Sequence, residues 1–372
     1  MEVNKRNEVQ AEALDVAVSN KRTGLGISVG VGKTRIGINH MMHLINNDND
    51  LFYKFLVVAP KISIFESWKK EIAELGYDHL LDIIVFSTYR SINKHNPSDF
   101  TGVYLDECHN LLESHTPFLS QYKGYILGLT GTPPRYLKST KGKLVQVYCP
   151  IRYTYFTTDA VDDNILNDYS IVIHPLGLGT SRTVPVKNKK TGGVFYTSEV
   201  DNYNFWTNKI DSAMYGRGNP TMLRVLRMKA MKGYKTKLEY VKYLLPMIED
   251  KCIIFANTIE QAEMLSSYSY HSKNPDNEIN LEKFSNGEID VLSCVEQLSE
   301  GVNIPNLKSA IIMHAYGNEK KLMQRLGRLM RLKPDEKATI HILMYNDTQD
   351  VKWVDNSLQD LDASKISYFE LE

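Results

Sequence analysis

The chain has 372 residues, enough for two domains with a core each. Its 42% hydrophobic and 24% charged residues suit a water-soluble fold, and its 44 basic residues balance 44 acidic ones, so net charge alone points to no polyanionic partner. No apolar run is long enough to cross a bilayer, the polar start MEVNKRNEVQ lacks the apolar centre of a secretion signal, and the scattered Cys108, Cys149, Cys252 and Cys294 fit neither a zinc module nor a disulfide framework. A reducing, cytoplasmic compartment is expected, the host cytoplasm if the protein is viral.

The first half alternates helix and strand. A helical stretch over 2–19 precedes a short strand at 25–28, and a helix opens near Lys33 with Ile36, Ile38, Met41 and Met42 along it. Between that strand and that helix lies ISVGVGKT at 27–34. A glycine loop between strand and helix cradles phosphates. Gly30, Val31 and Gly32 supply backbone N–H groups, Lys33 the charge for the β- and γ-phosphates, and Thr34 a hydroxyl for Mg2+. The pattern departs from the generic one at Ile27, where a glycine is usual. Compact apolar runs follow at 55–59, 83–86, 103–105 and 125–129, separated by helical patterns, which indicates a parallel sheet covered on both faces. The third of them ends in Leu105-Asp106-Glu107-Cys108-His109. Asp106 is placed to hold the metal, partly through water, and Glu107 to orient and deprotonate an attacking water, with His109 bonded across a cleft.

A hinge is expected between 148 and 168, after which the grammar repeats. Strands are expected at 171–173, 252–255, 289–294, 310–313 and 339–343. Apolar-polar alternation on both sides of the turn at 188–193 predicts a β-hairpin, and 204–245 reads as helical. The basic turn of that hairpin suits either a strand-separating device or an ordinary solvated loop. On a helix through 318–331, Leu322, Leu326 and Leu329 share one face while Gln324, Arg328 and Arg331 share the other, with Gly327 allowing close approach. Arginines on such a face suit phosphate.

The ordered series ISVGVGKT, VVAPKISIFESWKKE, STYRS, LDECH, LTGTPP, IIFANT, EQLSEGVNIP and QRLGRLMR resembles that of a superfamily 2 helicase or translocase over nearly the whole chain. Trp68 and the EGVNIP form resemble the Swi/Snf-type and phage-type DNA translocases more than the DEAD-box RNA helicases. The resemblance implies two tandem RecA-like α/β domains, each a mostly parallel sheet flanked by helices, with a small β-hairpin and helical insertion at the start of the second. We place the domains at 1–156 and 157–372. It further implies that Gln10 reads adenine, although the usual preceding arginine is displaced to Arg6. Pro60, Lys61, Ser87 and Thr88 in the first domain, and Phe255 and Asn257 in the second, would grip a nucleic-acid backbone. Thr130 and Thr132 would couple hydrolysis to movement, with Gln324 in the same role. Gly301 and Asn303 would touch nucleotide and strand, and Arg328 and Arg331 would be arginine fingers.

The function expected is ATP hydrolysis with Mg2+ in an interdomain cleft, coupled to movement along duplex, forked or branched DNA by sequence-independent backbone contacts. RNA as the track, or a nucleotide-gated adaptor with little turnover, are the alternatives. A monomer or the motor subunit of a larger complex would both serve.

Overall fold

The computed structural model describes residues 4–28, 30–47, 52–188, 192–216, 218–295, 304, 306–315, 336–359 and 361–369. The chain divides into two compact units, the first reaching Asp168 and the second opening at Tyr169.

The first unit is built on six strands: β1 (Arg22–Ile27), β2 (Phe55–Ala59), β3 (Ile84–Thr88), β4 (Gly102–Asp106), β5 (Tyr125–Thr130) and β6 (Ile151–Tyr155). All pair in parallel, in the order β3-β2-β4-β5-β1-β6. Its helices are α1 (Lys5–Val18), α2 (Lys33–Asn47), α3 (Ser63–Glu74), α4 (Thr116–Gln121), α5 (Thr140–Tyr148) and α6 (Thr157–Asp162). The central strands read as unbroken apolar runs because both faces are covered, and every residue of β2 and β4 is buried. Register places the last residue of β4, Asp106, beside Leu129 of β5, so the acidic motif and the threonine motif emerge side by side at the carboxyl ends of the strands.

The second unit carries a seven-stranded sheet. Its strands are β7 (Tyr169–Leu176), β10 (Cys252–Ala256), β11 (Ser269–Tyr270), β12 (Val291–Val295), β13 (Ser309–Ile312), β14 (Ala338–Tyr345) and β15 (Ile366–Tyr368). They run in the order β11-β12-β10-β13-β14-β7-β15, again all parallel. The predicted hairpin is present as β8 (Val184–Lys187) and β9 (Val194–Thr197), an antiparallel pair apart from both sheets. Helices α7 (Glu199–Tyr215), α8 (Pro220–Lys232) and α9 (Lys235–Leu244) follow it, and α10 (Ile259–Leu265), α11 (Asn277–Asn286) and α12 (Gln349–Leu358) complete the described set.

The fold class agrees with the sequence reading in both units, and three details differ. Residues 148–168, read as a hinge, contain β6 and α6, which belong to the first unit. β6 escaped notice because it lies at the sheet edge and alternates in burial rather than forming an apolar run. β11 is two residues long and β15 three, too short for a periodic signal. β3 extends through Ser87 and Thr88, beyond the apolar run that announced it.

Candidate active site

The loop after β1 takes the form its glycines allow. Gly30 has φ of 94° and Gly32 a φ of 108°, in the left-handed region that turns successive amides toward a common anion. Ile27, the departure from the generic pattern, is the fully buried last residue of β1. Its carbonyl accepts a hydrogen bond from Lys33 Nζ at 3.1 Å, so the lysine folds back over the loop. Gln10, from α1, donates through Nε2 to the carbonyl of Val31 at 2.7 Å. A Cβ at position 32 would meet that same Nε2 at 2.4 Å, so Gly32 lets Gln10 lie against the loop. Lys33 and Thr34 begin α2.

Asp106 ends β4 with both carboxylate oxygens engaged. Trp68 Nε1 donates to Oδ2 at 2.8 Å, and the backbone N–H of Glu107 donates to Oδ1 at 2.9 Å. The Tyr89 hydroxyl donates to the Asp106 carbonyl at 2.9 Å. Glu107 itself adopts φ 51°, ψ 53°, a left-handed conformation that glycine, and to a lesser degree asparagine or aspartate, adopts readily and that a glutamate resists.

Beside it, His109 Nδ1 is hydrogen-bonded to Thr130 Oγ1 at 2.8 Å and lies 3.2 Å from Glu107 Oε2. The Thr130 hydroxyl reaches Glu107 Oε2 at 3.4 Å, and the N–H of Thr132 donates to Thr130 Oγ1 at 3.1 Å. Among the described residues the partners of His109 are thus all in the first unit: Glu107 and Asn110 beside it, Thr130 on β5 and Thr132 on the turn after it.

The environment separates the two carboxylates. Burial, then the adjacent Glu107 charge, raises the Asp106 pKa to about 6, against the opposing pull of the Trp68 N–H and of Lys33. Burial also pushes Glu107 upward, but its hydrogen bond to His109 and the charge of Lys33 outweigh that, and the net shift is downward. One carboxyl therefore holds its proton more tightly while its neighbour is kept ionised. Such separation assigns different tasks to paired acids.

Two family models match the chain: the type III restriction enzyme res subunit over residues 4–135, and the helicase conserved C-terminal domain over residues 236–333. A DNA 3'-5' translocase XPB2 of Sulfurisphaera tokodaii is 22% identical over 387 residues, covering 90% of this chain and 81% of the relative. The chain is a superfamily 2 helicase or translocase. It is accordingly an ATP-hydrolysing enzyme. Among solved structures, the ATP-dependent type ISP restriction-modification enzyme LlaBIII bound to DNA superposes with a TM-score of 0.65 at 15% identity, over 99% of this chain and 31% of that one. The helicase domain of Pyrococcus furiosus Hef superposes with a TM-score of 0.51 at 14% identity, over 92% of this chain and 96% of that one. These likenesses establish the tandem RecA-like fold.

The remaining expected site residues of this helicase are dispersed. Pro60 and Lys61 follow β2, and Ser87 and Thr88 close the neighbouring β3. Ser87 Oγ is hydrogen-bonded to His95 Nε2 at 2.9 Å. Phe255 is 3% exposed within β10, so its side chain packs in the sheet, while Asn257 lies just past that strand and donates its N–H to Gln261 Oε1 at 3.2 Å. Gly301, Asn303, Gln324, Arg328 and Arg331 lie outside the described residues. The residues that sequence reasoning did not assign to the site are Trp68 and Tyr89. Trp68 was legible as part of the apolar face of α3 with Ile64, Phe65 and Ile72, but nothing in the spacing names the acceptor of its N–H.

Proposed function

We propose that the protein hydrolyses ATP with Mg2+ at the carboxyl edge of its first sheet and uses the reaction to move along DNA. The single observation that carries this reading is the convergence there of a glycine loop, a lysine, a metal-suited carboxylate and a second carboxylate tied to a histidine-threonine network.

The donors fit magnesium. Thr34 and Asp106 offer hard oxygens, and a buried carboxyl whose pKa is raised to about 6 is one that a divalent cation stabilises. Mg2+ held by Thr34 and Asp106 would neutralise charge on the β- and γ-phosphate oxygens. Lys33 exchanges the carbonyl of Ile27 for those oxygens, and the amides of Gly30, Val31 and Gly32 close on the phosphate chain. Gln10, already against the loop, is proposed to read the adenine edge. Glu107, kept ionised, accepts a proton from the attacking water, with the Thr130 hydroxyl and His109 fixing its carboxylate. Because the same threonine also bonds the N–H of Thr132, a change at Glu107 is felt along the turn after β5. This supports a coupling role for His109, Thr130 and Thr132. Arg328 and Arg331 are proposed as arginine fingers, and Gln324 as a further coupling residue.

DNA is favoured as the track because the relative that spans 90% of this chain is named as a DNA translocase. Lys61, Thr88 and Asn257, each at the end of a strand or just past it, are proposed to hold the phosphate backbone without reading bases. Duplex, forked or branched DNA are the expected forms, and the resemblance to phage-type DNA translocases is part of this proposal. ATP turnover measured in parallel with single-stranded, duplex and forked DNA and with RNA tests the reading. DNA should stimulate more than RNA. Turnover that no polymer changes would overturn it.

A further inference from the structure

The indole of Trp68 is fully buried in the first unit, and its place there is unusual for a core side chain. A buried indole needs an acceptor for its N–H, and ordinarily a backbone carbonyl serves. Here the acceptor is the Oδ2 carboxylate oxygen of Asp106, at 2.8 Å. The opposite oxygen accepts from the N–H of Glu107 at 2.9 Å. Two donors on two oxygens determine the plane of the carboxylate, and with it the direction in which the remaining lone pairs point.

The ring is fixed from the other side as well. A Cβ at Gly37 of α2 would lie 2.7 Å from Trp68 Cη2, so the helix that begins with Lys33 and Thr34 rests directly on the indole. Tyr104 of β4 meets the ring edge-on at 6.2 Å between centroids. The helix bearing Trp68 touches the first turns of α2 a second time, through Arg35 Nε and Glu71 Oε1 at 2.7 Å. One side chain therefore sits between the element that presents Thr34 and the carboxylate that ends β4.

We propose that Trp68 is a positioning residue for the metal-holding carboxylate, its N–H orienting Asp106 and its ring setting the spacing between Asp106 and the helix of Thr34. This rests on the reading of Thr34 and Asp106 as the magnesium site. Trp68→Phe keeps an aromatic ring in the core and deletes the N–H. Partners that orient a metal's direct ligands are worth about 10- to 100-fold in affinity or activity.

The test is Mn2+ binding followed by electron paramagnetic resonance, on the full chain with a non-hydrolysable ATP analogue, beside the Mg2+ dependence of turnover. For Trp68→Phe, Mn2+ should bind about tenfold or more weakly. The Mg2+ concentration for half-maximal turnover should rise in parallel, and KM for ATP at saturating Mg2+ should stay unchanged. Mn2+ affinity equal to wild type in a folded Trp68→Phe protein, whatever its turnover, would reduce Trp68 to core packing and overturn the proposal. If that variant is not recovered folded, Gly37→Ala, which crowds the indole and leaves its N–H, takes the same titration: weakened Mn2+ binding supports the proposal and unchanged binding overturns it. Wild type that binds no Mn2+ with the nucleotide removes the underlying assignment of Asp106 instead, and the proposal falls with it.

Discussion

Each of the two parallel sheets buries charge at the carboxyl ends of its strands, and they treat it in opposite ways. In the second unit, Lys237 is 2% exposed and donates all three ammonium hydrogens: to the carbonyl of Met313 at 2.8 Å, to that of Leu343 at 2.7 Å, and to Asp350 Oδ2. That oxygen also accepts the N–H of Tyr345, and the other lies 3.2 Å from His314 Nδ1. A buried cation saturated by carbonyls and a carboxylate locks the ends of β13 and β14 to the start of α12. In the first unit two adjacent carboxylates, Asp106 and Glu107, share one edge and lie within the influence of Lys33. Saturation gives rigidity. The crowded acids give a site whose two carboxyls are pushed apart in proton affinity, Asp106 upward and Glu107 downward, which suits a reaction.

Substitutions sharpen this contrast. The largest effect is expected from Glu107→Gln, which keeps shape and removes the proposed base. Single-turnover hydrolysis should fall by about 10²- to 10⁴-fold with nucleotide binding intact, and an unchanged rate would make the acidic edge as inert as its counterpart. Next is Lys237→Met, which leaves Asp350 buried without its cation. Denaturant unfolding should show a loss of about 3–5 kcal/mol. Adding Asp350→Leu should return much of it, since an apolar pair of similar volume replaces a buried ion pair at little cost.

A smaller effect belongs to a second buried group in the same unit. His174 Nε2 is hydrogen-bonded to His341 Nδ1 at 2.9 Å, and His174 Nδ1 to the Tyr240 hydroxyl at 2.8 Å. Burial lowers the pKa of both histidines to about 4, with the neighbouring His341 adding to the effect on His174. The unfolded chain takes up these protons first, so stability is complete above about pH 6.5 and declines as pH falls toward 4. Melting temperatures should fall as pH is lowered through that window, and His341→Gln should flatten the slope. The smallest effect is Arg35→Ala. Its pair with Glu71 is partly exposed at 36% and 26%, so the melt should shift by no more than about 0.2–1 kcal/mol.

Much of this architecture was readable in advance, and the omissions have physical reasons. Runs such as FLVVA and CIIFA announce central strands because both faces are covered. GVGKT and DECH announce their chemistry because few residue types can cradle phosphate or end a strand in two acids. β6 was hidden by its edge position, and the short β11 and β15 by their length. The hydrogen bond from Trp68 to Asp106 joins residues that are 38 apart in the chain, and only the packing of α3 over the sheet brings them together. Lys237 looked like one more polar residue of a helical stretch, because saturation by the carbonyls of Met313 and Leu343 is invisible until the strands are assembled.

The backbone of Glu107 carries one more implication. A carboxylate side chain sits there in a conformation that glycine adopts without penalty and other residues resist. Laboratory evolution that rewards only survival on heating should therefore drift toward glycine or asparagine at 107, and melting curves of such variants would rise as their turnover vanished. Fuel consumption by this motor is maintained against the polypeptide's own preference for comfort.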